Sequence, residues 1–574
     1  MQHIYRVNMK TGDITDQTAK REELLYGGRG LIAKILSEEV NPKCDPLGKE
    51  NKLIFCTSIL SGTMAPSGGR LSVGAKSPMT GGIKEANVGG MLGIYLGQHA
   101  IRAIVIEQKS DDDTYKLVYV DPKGRVSLLP ADKYRTMTNY MLVEALREEV
   151  GPDVACGSIG TAGERQYLNS SIICTEFGTG HPNRAAARGG IGSVMGSKHL
   201  KALVVSKPDG AEKYPYEDMG MFAQTVKRHQ ELHKKSPLVN IAKSGTAGAV
   251  AMQAPLGIMP VRNFSGELSE EEKLEGLMPE TFVGTIVSRG GKVGQRCMPG
   301  CIARCSNEFR DADGEYETVS LCGSNCDIYD LDTIAIMDRF CDDMGIDTID
   351  FGAAIAVAMD SGKIEWGDKE AVLKIMDEIR KDEGFGRIVA QGAAYLGKEI
   401  GAKRIPVVKN QAMAAYEPRN SKGIGVTYAT SPMGADHTAG MVLGQGGDPT
   451  VNDEKVYYSM INQIDSAMQD CFMCTFNWGS AMSDPTLITD YVKYALGIDL
   501  SIKDLMQIGI RTLETELAFN KAAGLTNDDD VLPAFFKEEP SPATGAVFDF
   551  TMEELQLAKN YKDAPILKPQ EANH

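Results

Sequence analysis

The chain has 574 residues, of which 42% are hydrophobic and 24% charged. That is more than one hydrophobic core usually serves, so roughly two to four domains are expected. Its formal net charge of -16 argues against a nucleic-acid partner, which would need basic surface. The opening "MQHIYRVNMKTGDITDQTAK" lacks the apolar core of a signal peptide, and no run approaches the roughly 20 apolar residues that span a bilayer. The expectations are no membrane span, a cytoplasmic location and, for 12 cysteines in a reducing compartment, no disulfide framework.

In chain order, residues 1–208 are rich in glycine and in short β-type runs ("KLIFCTSIL", "GRLSVGAKS", "AIVIEQK", "YKLVYVD", "KALVVSKP") separated by turn signals, which predicts a β-rich domain. Two stretches within it, "APSGGRLSVGAKSPMTGGIKEANVGG" at 65–90 and "HPNRAAARGGIGSVMGSKHLKALVV" at 181–205, set Arg70, Lys76, Arg184, Arg188 and Lys198 among glycines. Neither has GxGxxG between a strand and a helix, nor GxxxxGK[ST], so the nucleotide fingerprints fail. Bare backbone N–H groups beside guanidinium forks instead suit an extended, phosphate-bearing cofactor.

The stretch "KPDGAEKYPYED" is a candidate linker. Beyond it, residues 209–410 carry apolar residues at three- and four-residue spacing in "MFAQTVKRHQELHKK", "LDTIAIMDRFCDDMG", "DFGAAIAVAMDSG" and "KEAVLKIMDEIRK", the pattern of amphipathic helices. Residues 411–574 mix loops with helices such as "DEKVYYSMINQIDSAMQDCFM". No short-period repeat and no low-complexity segment is found.

Seven of the cysteines cluster, as Cys297/Cys301/Cys305, Cys322/Cys326 and Cys471/Cys474. The first three stand in "RCMPGCIARCS", where Pro299-Gly300 favours a loop over a helical face. Zinc sites usually use two CxxC-like pairs or add histidines, and no histidine lies in the segment. Three close cysteines and a remote fourth are the pattern of a [4Fe-4S] cluster. "QDCFMCTF" offers Cys474 or Cys471 as the fourth ligand, with Cys322 and Cys326 as competitors.

Together these segments, with "GGRGLIAKIL" (27–36), "IGTAGERQ" (159–166), "GEYET" (314–318), "CDDMGID" (341–347) and "YATSPMGADH" (428–437), resemble the aldehyde ferredoxin oxidoreductase family of tungsten, rarely molybdenum, enzymes. The likeness runs along almost the whole chain. It implies an α+β fold: a β-rich N-terminal domain forming the pterin-binding base (1–208), then two mainly α-helical domains (209–410 and 411–574). It also implies a tungsten (or molybdenum) bis-pyranopterin, Mg2+ between the pterin phosphates, and a [4Fe-4S] cluster.

Carried over by position, Arg70, Asn87, Gly89 and Gly90 match the first pterin-and-phosphate loop. Arg184 and Ala185, with Arg188 close by, match the second, where a backbone carbonyl would help bind magnesium. The D-x-x-G-L-(D/C) pterin signature falls on Asp342, Gly345, Ile346 and Asp347. Its second copy departs from the pattern: without a gap it ends at Cys474, while anchoring on Asp465 needs one extra residue and selects Cys471, so Cys474 is preferred. The cluster's CxxxC opening also departs from the family's CxxC.

The implied reaction is oxidation of an aldehyde to a carboxylic acid with water as oxygen source. His437 would polarise the carbonyl, and Glu315 or Glu317 would take a proton from the attacking water. On a strand the two glutamates would face one side; Glu317 is the preferred base. Electrons would pass to ferredoxin or a polyferredoxin-like iron–sulfur subunit, and a homo- or hetero-oligomer is expected. Two alternatives are the tungsten subunit of an aromatic (benzoyl-CoA type) thioester reductase and, from another class, an iron–sulfur electron carrier without metal-pterin.

Overall fold

The structure, a computed structural model, describes residues 2–20, 23–210, 214–266, 271–309 and 314–564. The first sheet contains β1 (His3–Asn8), β2 (Ile14–Thr18), β3 (Leu53–Thr57), β4 (Leu71–Lys76), β5 (Ile83–Val88) and β6 (Ile101–Glu107), in the order β2-β1-β6-β3-β4-β5. The second contains β7 (Lys116–Val120), β8 (Val126–Pro130), β9 (Val154–Ser158), β10 (Ile172–Thr175), β11 (Pro182–Ala186) and β12 (Leu200–Ser206), in the order β11-β10-β9-β12-β7-β8. Taken from the opposite edge, the second order repeats the first. Each sheet has one parallel pairing, β1 with β6 and β7 with β12. A short helix follows each last hairpin strand, Leu92–Gln98 after β5 and Ile191–Ser197 after β11.

The β-rich region is therefore a duplicated unit. Its sequence echo is faint: Gly89-Gly90 and His99 in one copy, Gly189-Gly190 and His199 in the other. Such a long period with so few identities escapes a search for short repeats. The sheets share one core, in which Phe55 and Val73 join Leu117 and Val204. Helix Gly28–Glu39 covers the outer face of the first sheet, where Ile32 and Leu36 meet Ile54 and Cys56. Every residue of β3 and β12 is buried, which is why neither alternates: β3 reads as an apolar run, and in β12 the buried Lys201 is paired with Glu164 at 2.5 Å. The edge strands β5 and β11 approach one another, so the two glycine-rich stretches meet at one seam.

Beyond Ser206 the chain is mainly helical, and the five helices expected from periodicity form at Met219–Lys235, Leu331–Met344, Thr348–Asp360, Lys369–Lys381 and Lys455–Phe472. Gly345 ends the second of these at φ +77°, a left-handed conformation that glycine adopts without a Cβ penalty. The Asp347 carboxylate caps the third by accepting from the Ile349 N–H at 3.0 Å.

Between these helices the chain docks on the base. The Ser171 N–H donates to the Gly345 carbonyl at 2.8 Å and the Asp347 N–H to the Asn169 carbonyl at 3.0 Å. Helix Ile502–Ala523, opened by a Ser501/Asp504 capping box, packs with Lys455–Phe472 against helix Gly28–Glu39.

Arg29 sits fully buried at that junction. Its Nε and Nη2 donate to the two Glu516 oxygens, each at 2.8 Å, and Nη1 lies 3.5 Å from Asp470. Burial alone would lower the Arg29 pKa, but Glu516 and Asp470 override it. Removing the cation strands two buried carboxylates, at a cost of about 3–5 kcal/mol. Arg29→Met should lower the unfolding midpoint in a thermal melt correspondingly; an unchanged midpoint would mean the network contributes nothing to stability.

Candidate active site

The loop carrying Cys297, Cys301 and Cys305 lies between two short paired strands, Lys292–Gln295 and Ser306–Glu308. It folds back on itself rather than forming a helix, with Gly300 at φ +74° and Arg304 at φ +53°. Ser67 of the base fastens it. The Ser67 N–H donates to the Gly300 carbonyl at 3.2 Å, and its hydroxyl oxygen accepts from the Ile302 N–H at 3.3 Å. Its carbonyl also accepts from the Cys474 N–H at 3.1 Å. One residue thus holds both segments.

The electrostatics follow that proximity. The Cys297 thiol is pushed well up, first by its contact with Cys301 and then by burial, while Cys301 is lowered by the same contact. Burial raises Cys305 and Cys474, each of which also feels Cys297. Burial would lower the Arg70 pKa, but Cys474, Cys297, Asp470 and Cys305 keep it raised.

Among the described residues, no three His, Cys, Asp or Glu side chains converge tightly enough to share a single metal ion. The four thiols fit a larger object, since a [4Fe-4S] cube takes one thiolate at each iron corner. Cys471 stands apart: its Sγ contacts the Ala467 carbonyl at 3.3 Å, and a Cβ on Gly30 would fall 2.9 Å from it. Cys322 and Cys326 are fully buried, with their thiols against the backbone carbonyls of Thr348 and of Leu321 and Gly352 respectively.

At the seam, Arg70 Nε donates to Asn87 Oδ1. A Cβ on Gly89 would lie 2.9 Å from Cys297 Sγ, and one on Gly90, at φ +98°, 2.5 Å from the Thr175 carbonyl oxygen. Glycine here lets the base touch the thiol loop. In the second stretch, Arg184 donates to Ser306 Oγ at 2.9 Å and to Glu176 at 3.1 Å, and lies 3.6 Å from Glu315. Ala185 pairs with Ile173 on the edge strand β11. Arg188 reaches across to the helical part, donating to the Ala435 carbonyl at 2.5 Å and lying 3.5 Å from Asp347.

In the last turn of helix Leu331–Met344, burial and then Asp338 push the Asp342 carboxyl well up, and its Oδ2 has no hydrogen-bond partner. Asn169, whose carbonyl accepts from Asp347, is fully buried with both side-chain amide atoms unpartnered. A buried acceptor and a buried amide without partners cost free energy unless a bound group satisfies them. With the glycine cradle and the basic seam, these atoms fit a polar heterocycle carrying phosphate.

Glu315 and Glu317 do not lie on a strand, as expected from their alternation. Glu315 is the N-cap of helix Tyr316–Leu321, because Thr246 Oγ1 accepts from the Tyr316 N–H at 3.1 Å. Two residues on a helix turn the side chain by about 200°, so the glutamates diverge. Glu315 accepts from Thr246 and faces Arg184. Glu317 accepts from the Ala415 N–H at 2.8 Å through Oε2, and its Oε1 lies 3.5 Å from His437 Nε2. His437 Nδ1 is buried without a hydrogen-bond partner. The preceding Asp436 would be raised by burial, but Lys84, 2.6 Å away, and then Arg188 hold it well below the usual carboxylate range.

Glu315, Glu317 and His437 open onto a cavity of about 380 Å³ whose other walls include Tyr416, Met441, Asp465, Gln469 and Phe476. Sequence reading did not single out Thr246, nor Ser67 and Lys84 within the 65–90 stretch, because they act through contacts with backbone or one buried charge that no spacing marks.

A family model described as the N-terminal domain of aldehyde ferredoxin oxidoreductase matches residues 4–207, and one described as domains 2 and 3 matches residues 224–562. A tungsten-containing aldehyde ferredoxin oxidoreductase of Pyrococcus horikoshii is 35% identical, covering 94% of this chain and 92% of that protein. The corresponding protein of Thermococcus kodakarensis is 32% identical over 94% and 91%. An aliphatic sulfonate oxidoreductase, WOR-like subunit, of Pyrococcus furiosus is 26% identical. The solved active-site complex BamBC of benzoyl coenzyme A reductase shares the fold, with a TM-score of 0.76 at 18% identity over 97% of this chain and 93% of that one. With the two family models matching residues 4–207 and 224–562, the chain belongs to the aldehyde ferredoxin oxidoreductase family.

Proposed function

We propose that the protein is a tungsten-pterin oxidoreductase that converts aldehydes to carboxylic acids, RCHO + H2O giving RCOOH with two protons and two electrons. The observation that carries this reading is the Glu317–His437 pair, 3.5 Å apart on the wall of a cavity of about 380 Å³. It is supported by the relatives named as tungsten-containing enzymes at 32–35% identity. Arg70, Asn87, Gly89 and Gly90 would hold one pterin, and Arg184, Ala185 and Arg188 the other with its magnesium. Asp342, Gly345, Ile346 and Asp347 would meet pterin N–H groups, and Cys297, Cys301, Cys305 and Cys474 would bind the [4Fe-4S] cluster. When bound, the metal-pterin supplies the two-electron acceptor and the cluster passes electrons singly to ferredoxin or an iron–sulfur subunit.

The side chains divide the remaining work. The Ala415 N–H fixes Glu317 Oε2, which leaves Oε1 turned toward His437 and able to take a proton from attacking water. His437 Nε2 can hold that proton or donate it to the aldehyde oxygen as charge develops there. Glu315, tied to Thr246 and facing Arg184, orders the wall beside the thiols rather than sharing the proton.

Purified enzyme assayed with an aldehyde panel and an artificial dye should show dye reduction. His437→Ala and Glu317→Gln should each lower kcat by about a hundredfold with tungsten content unchanged, while Glu315→Gln should cost less. Full turnover by the His437 or Glu317 variant would contradict the assignment. For the cluster, Cys474→Ala should lose iron and Cys471→Ala should keep it, as read by iron analysis; the reverse would exchange their roles.

A further inference from the structure

Helix Lys455–Phe472 turns a polar face inward. Asn462, Asp465, Ser466 and Gln469 follow an i, i+3, i+4, i+7 spacing that places them on one helical stripe, and all four line the cavity. Such a stripe ordinarily faces solvent, yet Ser466 is only 9% exposed and Gln469 only 1%. Met441, Leu443 and Phe476 add an apolar wall.

Acceptors on and beside this stripe are left without donors. Asp465 Oδ2 accepts from Gln469 Nε2 at 2.5 Å. Gln469 Oε1 and, from the adjoining loop, Gln445 Oε1 are buried with no hydrogen-bond partner. The ionisable residues lining the cavity include Glu315, Glu317, Asp465 and His437, and among its described lining residues there is no lysine or arginine.

Resting on the aldehyde-oxidising reading above, we propose that Asp465 and Gln469 form a tail subsite that selects aldehydes carrying a hydrogen-bond-donating hydroxyl and rejects those carrying an anionic tail. A hydroxyl satisfies the unpartnered acceptors, whereas a carboxylate, sulfonate or phosphate beside them meets the Asp465 carboxylate, away from Arg184, which faces Glu315, and with no lysine or arginine among the described lining residues. Burial pushes the Asp465 carboxyl up to about 6, so most of it remains ionised at neutral pH. Asp465 lies deep in the molecule but is only half-buried, because its open side is the cavity itself.

The test compares butanal, 3-hydroxybutanal and 4-oxobutanoate on the tungsten-loaded enzyme, with tungsten and iron measured in every preparation. The kcat/KM for 3-hydroxybutanal should exceed that for butanal by about tenfold, and 4-oxobutanoate should fall below butanal by about a hundredfold. Asp465→Leu should bring the hydroxyl preference close to unity through KM. Asp465→Asn, which keeps the shape and drops the charge, should retain part of that preference and relax the rejection of 4-oxobutanoate. Metal contents should match the parent's in both variants.

Unchanged ratios in the variants would overturn the proposal. Loss of tungsten from both would overturn it too, by placing Asp465 against the metal group. Should Asp465→Leu fail to fold, the Asp465→Asn ratios decide alone. Butanal oxidation with no discrimination across the series would sink this inference and leave the proposed function standing; no turnover of any aldehyde would sink both.

Discussion

Two distant chain segments, one bearing three thiols and the other a fourth, meet on one residue of the base. Ser67 spends its N–H, its hydroxyl and its carbonyl on Gly300, Ile302 and Cys474, and it does so at φ +55°. Backbone bonds of this kind fix positions without adding bulk, so four sulfurs can gather beside Arg70 and Gly89. The geometry of the Glu317–His437 pair is tied to the same loop. Thr246, which sets the start of the Tyr316–Leu321 helix, donates its N–H to the Cys305 carbonyl at 2.9 Å, so the thiol loop and the Glu317 wall are fastened to each other.

The duplicated base explains why two basic, glycine-dense stretches occur. Each sheet ends in a hairpin whose last strand leads into a Gly-Gly turn and a short helix, and the two edges meet at the seam. In the proposed reading each copy serves one pterin. The helical part closes the seam through charge as well as packing: Lys84 reaches Asp436 and Arg188 reaches the Ala435 carbonyl, which locks the residues before His437 to both copies. Buried pairs of this kind gain little net stability but cost much when broken, so their value here is in fixing position.

Much of this was legible in the residues. Long amphipathic periods and fully apolar strands announced the β-then-α order, because burial dictates both patterns. Spacing of Cys297, Cys301 and Cys305 pointed to a shared site, and Pro299-Gly300 to a loop. Three residues of alternation at Glu315–Glu317 were too few to tell a strand from the first turn of a helix, and the hydroxyl that decides it belongs to Thr246, far away in sequence. The choice between Cys474 and Cys471 likewise turned on a helix ending at Phe472, which leaves Cys471 packed on Gly30 and releases Cys474 toward the thiols. Strands β9 to β11 are short and broken by glycine and polar residues, so pattern alone did not mark them.

The central claim is that the four gathered thiols and the basic seam serve two different metal groups side by side. Quantifying iron, tungsten and molybdenum in anaerobically purified wild-type protein tests it most directly. The account predicts about four irons for each tungsten or molybdenum. Iron with neither heavy metal, or a heavy metal with no iron, would contradict it.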